Sequence, residues 1–295
     1  MAVSISNLPY GDRSRDLFID AMVKSAAVLN RFRLIDGVKA KVNVPIFDAA
    51  LTFGTDICAW DPQSTASIGE KEMTVSDYKW SFLNCKTALE GSYRGLLLKK
   101  GQHNPETMDA EFKDWVFDYF AKLSAQKALT LAATELATEM TGDADVIDNV
   151  IAGGITSANV LDHMEAAYAL MSADMLSAVY GDADRDFKPA FFLGTAAMQA
   201  YQIAIAEKFT TTPQGIVEGN IPPYFGMEVV HFASLAAGQF ILCAPQNLVM
   251  LTDDYNDVRA IDMKYEPELS SDKIWGQFKL GFSYLKGDEI VYTHA

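Results

Sequence analysis

Basic residues, cysteines and long apolar runs are scarce in this chain, and each shortage closes off a class of function. Against 39 Asp and Glu there are 24 Lys and Arg, a formal charge of −15. Phosphate backbones are gripped by clustered Lys and Arg, so sequence-reading nucleic-acid binders are disfavoured. Cysteine occurs three times, at Cys58, Cys85 and Cys243. There is no C-x-x-C pair and the total is odd, which argues against a thiolate metal site and against a disulfide framework. Reduced, partly buried thiols are expected. No window comes near the ~18 apolar residues of a membrane span. The opening MAVSISNLPYGDRSRD lacks the charged start and apolar run of a signal peptide, so a cytosolic chain is expected.

Chemistry-bearing constellations are equally sparse. The four histidines, His103, His163, His231 and His294, are scattered. No G-x-x-x-x-G-K-S/T, G-x-S-x-G, H-E-x-x-H or strand-to-helix glycine fingerprint occurs. GDADRDF spaces Asp182, Asp184 and Asp186 like the start of a calcium loop, but Phe187 stands where glycine is needed and Leu193 where glutamate is needed. A solvated acidic turn is the simpler reading. Asp253, Asp254 and Asp257 likewise read as a capped turn. No catalytic residue, cofactor or metal is assigned.

What the sequence does have is an informative order of elements. Half of it is apolar, 49%, and 21% is charged, the composition of an ordinary globular chain of about two domains. Between Ser14 and Leu34, Leu17, Phe18, Met22, Ala26, Val28, Leu29 and Phe32 recur near helical spacing. After the Asp36-Gly37 turn, Val38, Ala40, Val42, Val44 and Ile46 alternate with Lys39, Lys41, Asn43 and Pro45, the pattern of a half-buried strand. Pro45 marks an edge. DPQSTASIG, residues 61–69, reads as a loop, and MTVSDYKWSFLNC as a second strand with Tyr78, Trp80 and Phe82 on one face. Together they predict an extended hairpin with an irregular tip.

From Asn104, an N-cap followed by Pro105, to Gly142 no further Gly or Pro interrupts the chain. Met108, Phe112, Trp115, Val116, Tyr119, Phe120 and Leu123, then more thinly Leu131, Leu136 and Met140, predict one very long helix. Its weak point is the 124–130 region, where Lys127 interrupts the stripe. Beyond it Gly153-Gly154 opens a new unit. A helix capped at Thr156 or Ser157 bears Val160, Leu161, Met164, Ala167, Tyr168 and Met171. A short strand follows in Lys188–Leu193, and then a helix from Thr195. After a polar connector with Pro213, Gly215, Gly219, Pro222 and Pro223 comes FGMEVVHFASLAAGQFILCAPQNLVMLTDD, almost wholly apolar residues and turn formers. In the tail, Ile274, Phe278, Leu280, Phe282 and Tyr284 alternate with polar residues. Lys286-Gly287-Asp288 predicts a hairpin into Ile290–Tyr292.

This order resembles the major capsid proteins of tailed bacteriophages of the Hong Kong 97 type. That family shows a Gly-x-Pro-Val-like strand, an Ala-Gly turn and an apolar strand. Here Phe225-Gly226-Met227-Glu228-Val229-Val230, Leu235-Ala236-Ala237-Gly238 and Gln239-Phe240-Ile241-Leu242 occupy those places. Glu228 stands where the family has proline. NLVMLTDDYNDVRAIDMKYE resembles the strand pair that leads out of the same region. The resemblance implies an α+β fold: an N-terminal arm (1–36), an extended E-loop hairpin with adjoining P-domain strands (37–98), a P-domain spine helix (99–146), an α/β A-domain (147–257) and P-domain C-terminal strands (258–295). It implies a structural subunit, not an enzyme, that assembles with itself into hexamers and pentamers of an icosahedral shell around double-stranded DNA. Portal, scaffold and other capsid proteins would be partners, packaged DNA would be touched only non-specifically, and no membrane would be involved. Assembly would occur in the host bacterial cytoplasm and the product would be the virion capsid.

The hairpin is charged at Lys39, Lys41, Glu70, Lys71 and Glu72, as exposed edges are. It nonetheless carries apolar residues that a two-stranded ribbon cannot bury alone. Phe53, Ile57, Trp60, Asp61 and Met73 are accordingly candidate intersubunit contacts. Two rival readings stand: an encapsulin-type nanocompartment shell, which shares the resembled fold and a similar length but encloses a cargo enzyme, and a cytosolic α/β enzyme with a site assembled from distant residues around Asp182, Asp184 and His163.

Overall fold

The chain is described by a computed structural model over residues 28–50, 65–85, 110–181, 187–208, 221–253, 262–266 and 271–294. A single 33-residue helix, α1 (Ala110–Gly142), runs unbroken through the 124–130 region. At 1.5 Å per residue it is about 50 Å long. Lys127 is exposed and does no damage to the stripe, because alanines fill it: Ala125, Ala128, Ala132 and Ala133, with Leu136 and Met140, are buried. Small side chains on this face let the helix lie close against a sheet. The capping pair Asn104-Pro105 lies outside the described residues.

That sheet contains β1 (Arg33–Ile35), β4 (Ser76–Cys85), β9 (Leu248–Thr252), β10 (Asp262–Glu266) and β11 (Ser271–Tyr284). β11 organises it. Its first half runs antiparallel between β4 and β10, and its second half pairs β9, to which β1 adds in parallel. The helix expected to continue to Leu34 is thus replaced at its end by a 3-10 turn, Leu29–Arg31, and by β1. Helical spacing in the sequence could not register the ladder that β9 offers to Arg33, Leu34 and Ile35. The rest of that expected helix lies outside the described residues.

The expected hairpin is also redrawn. β2 (Lys41–Ala50) pairs residue by residue with β3 (Thr65–Thr74), from Lys41 opposite Thr74 to Ala50 opposite Thr65. Residues 65–69, expected as loop, are therefore strand. The second expected strand divides at Val75: its start closes the ribbon and the remainder, β4, joins the first sheet. Alternation of apolar residues reads the same across such a crossing, which is why the switch of sheets escapes a sequence pattern.

A second sheet has the order β5-β12-β8-β6-β7, from β5 (Ile147–Val150), β6 (Ala190–Leu193), β7 (Glu228–His231), β8 (Phe240–Cys243) and β12 (Ile290–His294). Both of its faces are covered. Ala190, Phe192, Val230, Ile241, Cys243, Ile290 and Tyr292 point into the core shared with α1 and Phe32. Their neighbours Phe191, Leu193, Val229, Phe240, Leu242 and Val291 point to the other side. There they meet α2 (Val160–Ala169), α3 (Ala173–Tyr180) and α4 (Thr195–Lys208). Period-2 alternation between two cores explains why these strands read as continuous apolar runs. α2 begins at Asn159 rather than being capped by Thr156 or Ser157; the Thr156 N–H donates to the Asn159 side chain at 2.7 Å. β5 and α3, the latter capped by Ser172, carried no sequence expectation.

The tail departs from expectation in one respect. Residues 285–289 are a connection and not a hairpin loop, since β11 ends in the first sheet while β12 crosses into the second, between β5 and β8. Conversely β9, inside the range 147–257, belongs to the first sheet. The two sheets exchange strands at both boundaries.

Candidate assembly surface and the root of the ribbon

Among the described residues only two strands make the ribbon, and no further strand lies beside its backbone edges. Ser67, Ile68, Gly69 and Glu70 are exposed, Ile68 at 68%. An exposed isoleucine on an unpaired edge is the kind of surface that another chain covers. Of the five candidate contacts, Phe53, Ile57, Trp60 and Asp61 lie outside the described residues. Met73 is placed at the inner end of the ribbon, 1% exposed, packed with Val38, Val249 and Leu251. Its burial is met within its own subunit, at the root of the ribbon. The half-buried Val42 and Val44 lie against the same cluster.

A polar network beside this root was missed in the sequence. Glu135, Glu139 and Asp143 recur at four-residue spacing, which turns all three toward β11. Glu135 accepts from the Tyr78 hydroxyl at 2.6 Å and from the Phe282 backbone N–H at 2.9 Å. Glu139 accepts from the Ser283 hydroxyl at 2.8 Å. Asp143 accepts from the Tyr284 hydroxyl and from the Asp145 N–H. Lys71 reaches into the same place from β3, 3.6 Å from both Glu139 and Asp143 and 3.0 Å above the Tyr284 ring. The recurring carboxylates on an otherwise alanine-rich stripe were the available signal. Burial pushes the Tyr78 hydroxyl up to about 12, helped by its bond to Glu135. It raises Tyr284 further, in concert with Asp143. On the other side of the root, Lys279 holds the buried Asp253 at 3.2 Å and donates to the Lys39 carbonyl at 3.0 Å. Asp253 is therefore an ion-pair partner here; Asp254 and Asp257 lie outside the described residues.

The fingerprint stretch has a local explanation. Tyr224 and Met227 exchange both backbone hydrogen bonds around Phe225 (φ 50°) and Gly226 (φ 76°). That is the mirror-image turn, with positive φ at both centres, which glycine accepts without strain. Glu228, at the position where proline was expected, receives Arg31 through two bonds of 2.7 Å. This fork ties the start of the first sheet to the edge of the second.

Among the described residues nothing convergent stands elsewhere. His163, His231 and His294 lie on α2, β7 and β12, in separate settings, and His103 and Asp182, Asp184 and Asp186 lie outside the described residues. Among the described residues no group of three His, Cys, Asp or Glu is placed to hold a metal ion, and no helix is long and apolar enough to cross a membrane. A pocket of about 130 Å³ opens between Val179, Lys188, Met227 and Pro245. Ordinary ligand sites start at roughly 300 Å³.

A ribbon, a long helix against one sheet, and a second sheet under short helices form an α+β architecture: the fold of phage capsid proteins of the Hong Kong 97 type. A chain of the satellite phage P4 procapsid that includes the size-determination protein superposes with a TM-score of 0.61 at 11% identity, over 99% of this chain and 92% of that one. The virus-like particle from Pyrococcus furiosus gives 0.56 at 11% identity, over 97% and 99%. The capsid of a native GTA particle gives 0.55 at 10% identity, over 100% and 94%. At the level of sequence, no family model and no curated protein matches the chain.

Proposed function

We propose that this chain is the shell-forming subunit of a tailed-phage capsid and that its work is self-assembly, not catalysis. The observation that carries this reading is likeness of fold along nearly the whole chain to chains of a phage procapsid and of a GTA capsid. In this reading β2–β3 is the E-loop, α1 the spine of the P-domain, and the second sheet with α2–α4 the A-domain. Copies assemble as hexamers and pentamers, with portal and scaffold proteins as partners, in the host bacterial cytoplasm. The ribbon lies over a neighbouring subunit, where Phe53, Ile57, Trp60 and Asp61 meet their partners. The charge of −15 suits a wall that must not grip packed double-stranded DNA.

Electron microscopy of the protein expressed alone is the direct test: closed shells or capsomers are expected, and a monodisperse small oligomer with bound metal or cofactor would defeat the reading. Likeness to a virus-like particle supports a second reading, an encapsulin-type nanocompartment. Native particles distinguish the two, since a capsid contains double-stranded DNA and a nanocompartment contains a cargo enzyme.

A further inference from the structure

Among the described side chains by which the ribbon meets the body of the subunit, mostly apolar, one is chemically out of place. Toward the tip from Lys71, residues 67–70 are exposed. Lys71 itself turns inward, with 17% of its side chain exposed. Among the described residues its ammonium has no hydrogen-bond acceptor within range, only the two carboxylates at 3.6 Å and the ring face of Tyr284. Those carboxylates are already held from elsewhere, Glu139 by Ser283 and Asp143 by Tyr284 and the Asp145 N–H. The receptor for the ammonium is thus oriented independently of its guest.

A buried ammonium in contact with carboxylates but without a hydrogen bond gives direction more readily than stability. Burial lowers the Lys71 pKa in spite of the two carboxylates, and burial raises that of Glu139. Both groups are less favourable charged here than in water, so the pairing of Lys71 with Glu139 does not add to the stability of the fold.

We propose that Lys71 is a positioning residue: its ammonium, seated between Glu139, Asp143 and Tyr284, sets the direction in which the β2–β3 ribbon leaves the subunit without adding to the subunit's stability. The consequence for assembly rests on the shell reading; the positioning itself does not.

Spin labels at Ile68→Cys on the ribbon and Thr138→Cys on the exposed face of α1, in a Cys58→Ser, Cys85→Ser background, report the ribbon's direction as a distance distribution. The unmutated ribbon should give one narrow distribution. Lys71→Met should broaden it at least twofold while the thermal midpoint stays within about 3 °C, and Lys71→Arg should restore the narrow form. An unchanged distribution in Lys71→Met, or a loss of more than about 10 °C, overturns the proposal. pH gives a second reading in the unmutated ribbon. The groups facing Lys71 are Glu139, Asp143 and Tyr284, and Tyr284 keeps its proton when Lys71 loses its own below the usual lysine range of ~10.4. Broadening as the pH approaches ~10 supports the proposal, and a constant width overturns it. Shell yield is read separately. Lys71→Met should lower it at least tenfold, and a wild-type yield overturns the assembly consequence. If the unmutated chain makes no shells, the shell reading fails while the distances still decide the role of Lys71.

Discussion

The hydroxyl of Tyr78 donates to Glu135 at 2.6 Å, joining the strand that follows the ribbon to the C-terminal part of the long helix across 57 residues of chain. Glu135 also accepts the Phe282 N–H, so one carboxylate ties two strands of the first sheet to α1. Glu135→Ala leaves both donors without their acceptor and should destabilise the subunit by about 1–3 kcal/mol. Glu135→Gln, which keeps an acceptor oxygen, should lose less. Chemical unfolding curves of the two variants check the order.

Burial of the same hydroxyl, helped by this bond, fixes a pH response. The Tyr78 hydroxyl is pushed up to about 12 from an ordinary value of ~10, and Tyr284 rises as well. A raised folded-state value means that the hydroxyl's contribution is whole below pH ~10 and is lost as pH climbs through the folded value. Stability should therefore fall on the alkaline side, between about 10 and 12, and the double variant Tyr78→Phe, Tyr284→Phe should flatten that limb. A parallel fall in both proteins would exclude these hydroxyls as its cause.

At the acid end the sign reverses. The Tyr284 hydroxyl, then the Asp145 N–H, hold Asp143 below the usual carboxylate range. Its contribution is present above ~3.9 and is lost as pH falls through the depressed value. Asp143→Asn should be less stable than the unmutated chain at neutral pH, and the difference should shrink as the solution is acidified. Thermal melts across pH 2–6 read it.

Gly281 lies where β11 passes the crossing from ribbon to sheet. A Cβ there would sit 2.2 Å from the Thr74 carbonyl oxygen and 3.2 Å from the Val75 Cα. Both are backbone atoms that cannot turn aside, so Gly281→Ala must push the ribbon's root away from β11. A loss of about 1–3 kcal/mol is expected. Faster amide exchange at Val75, whose N–H donates to the Ala40 carbonyl at 2.9 Å, should accompany it.

Phe191 and Phe192 are both fully buried, yet belong to different cores. Each alanine variant should lose about 3–5 kcal/mol. Because the sheet separates the two cavities, the effects should add in the double variant, whereas a strong departure from additivity would show that the cores are mechanically one.

Local chemistry alone determined a good deal of this protein. The long helix was legible because no Gly or Pro interrupts it and its apolar positions recur at helical spacing. The strand at Ala190–Leu193, the helix after it and the alternation along β11 were legible for the same reason, since each depends on neighbours a few residues away. The order of these elements was enough to suggest the capsid fold. Tertiary structure decided the rest. Period-2 alternation says that a strand has two faces, not which strand lies beside it; hence the splitting of one expected strand at Val75 and the passage of β12 into the second sheet were invisible. Arg33–Ile35 became a strand because β9 presented an open ladder, a partner more than two hundred residues away in the chain. Lys71, Glu139, Asp143 and Tyr284 are unremarkable singly, and their meeting required the ribbon, the helix and β11 to be packed first. An ammonium acquires its direction and its shifted protonation only from the walls around it, and those walls come from two distant parts of the sequence, the end of α1 and β11.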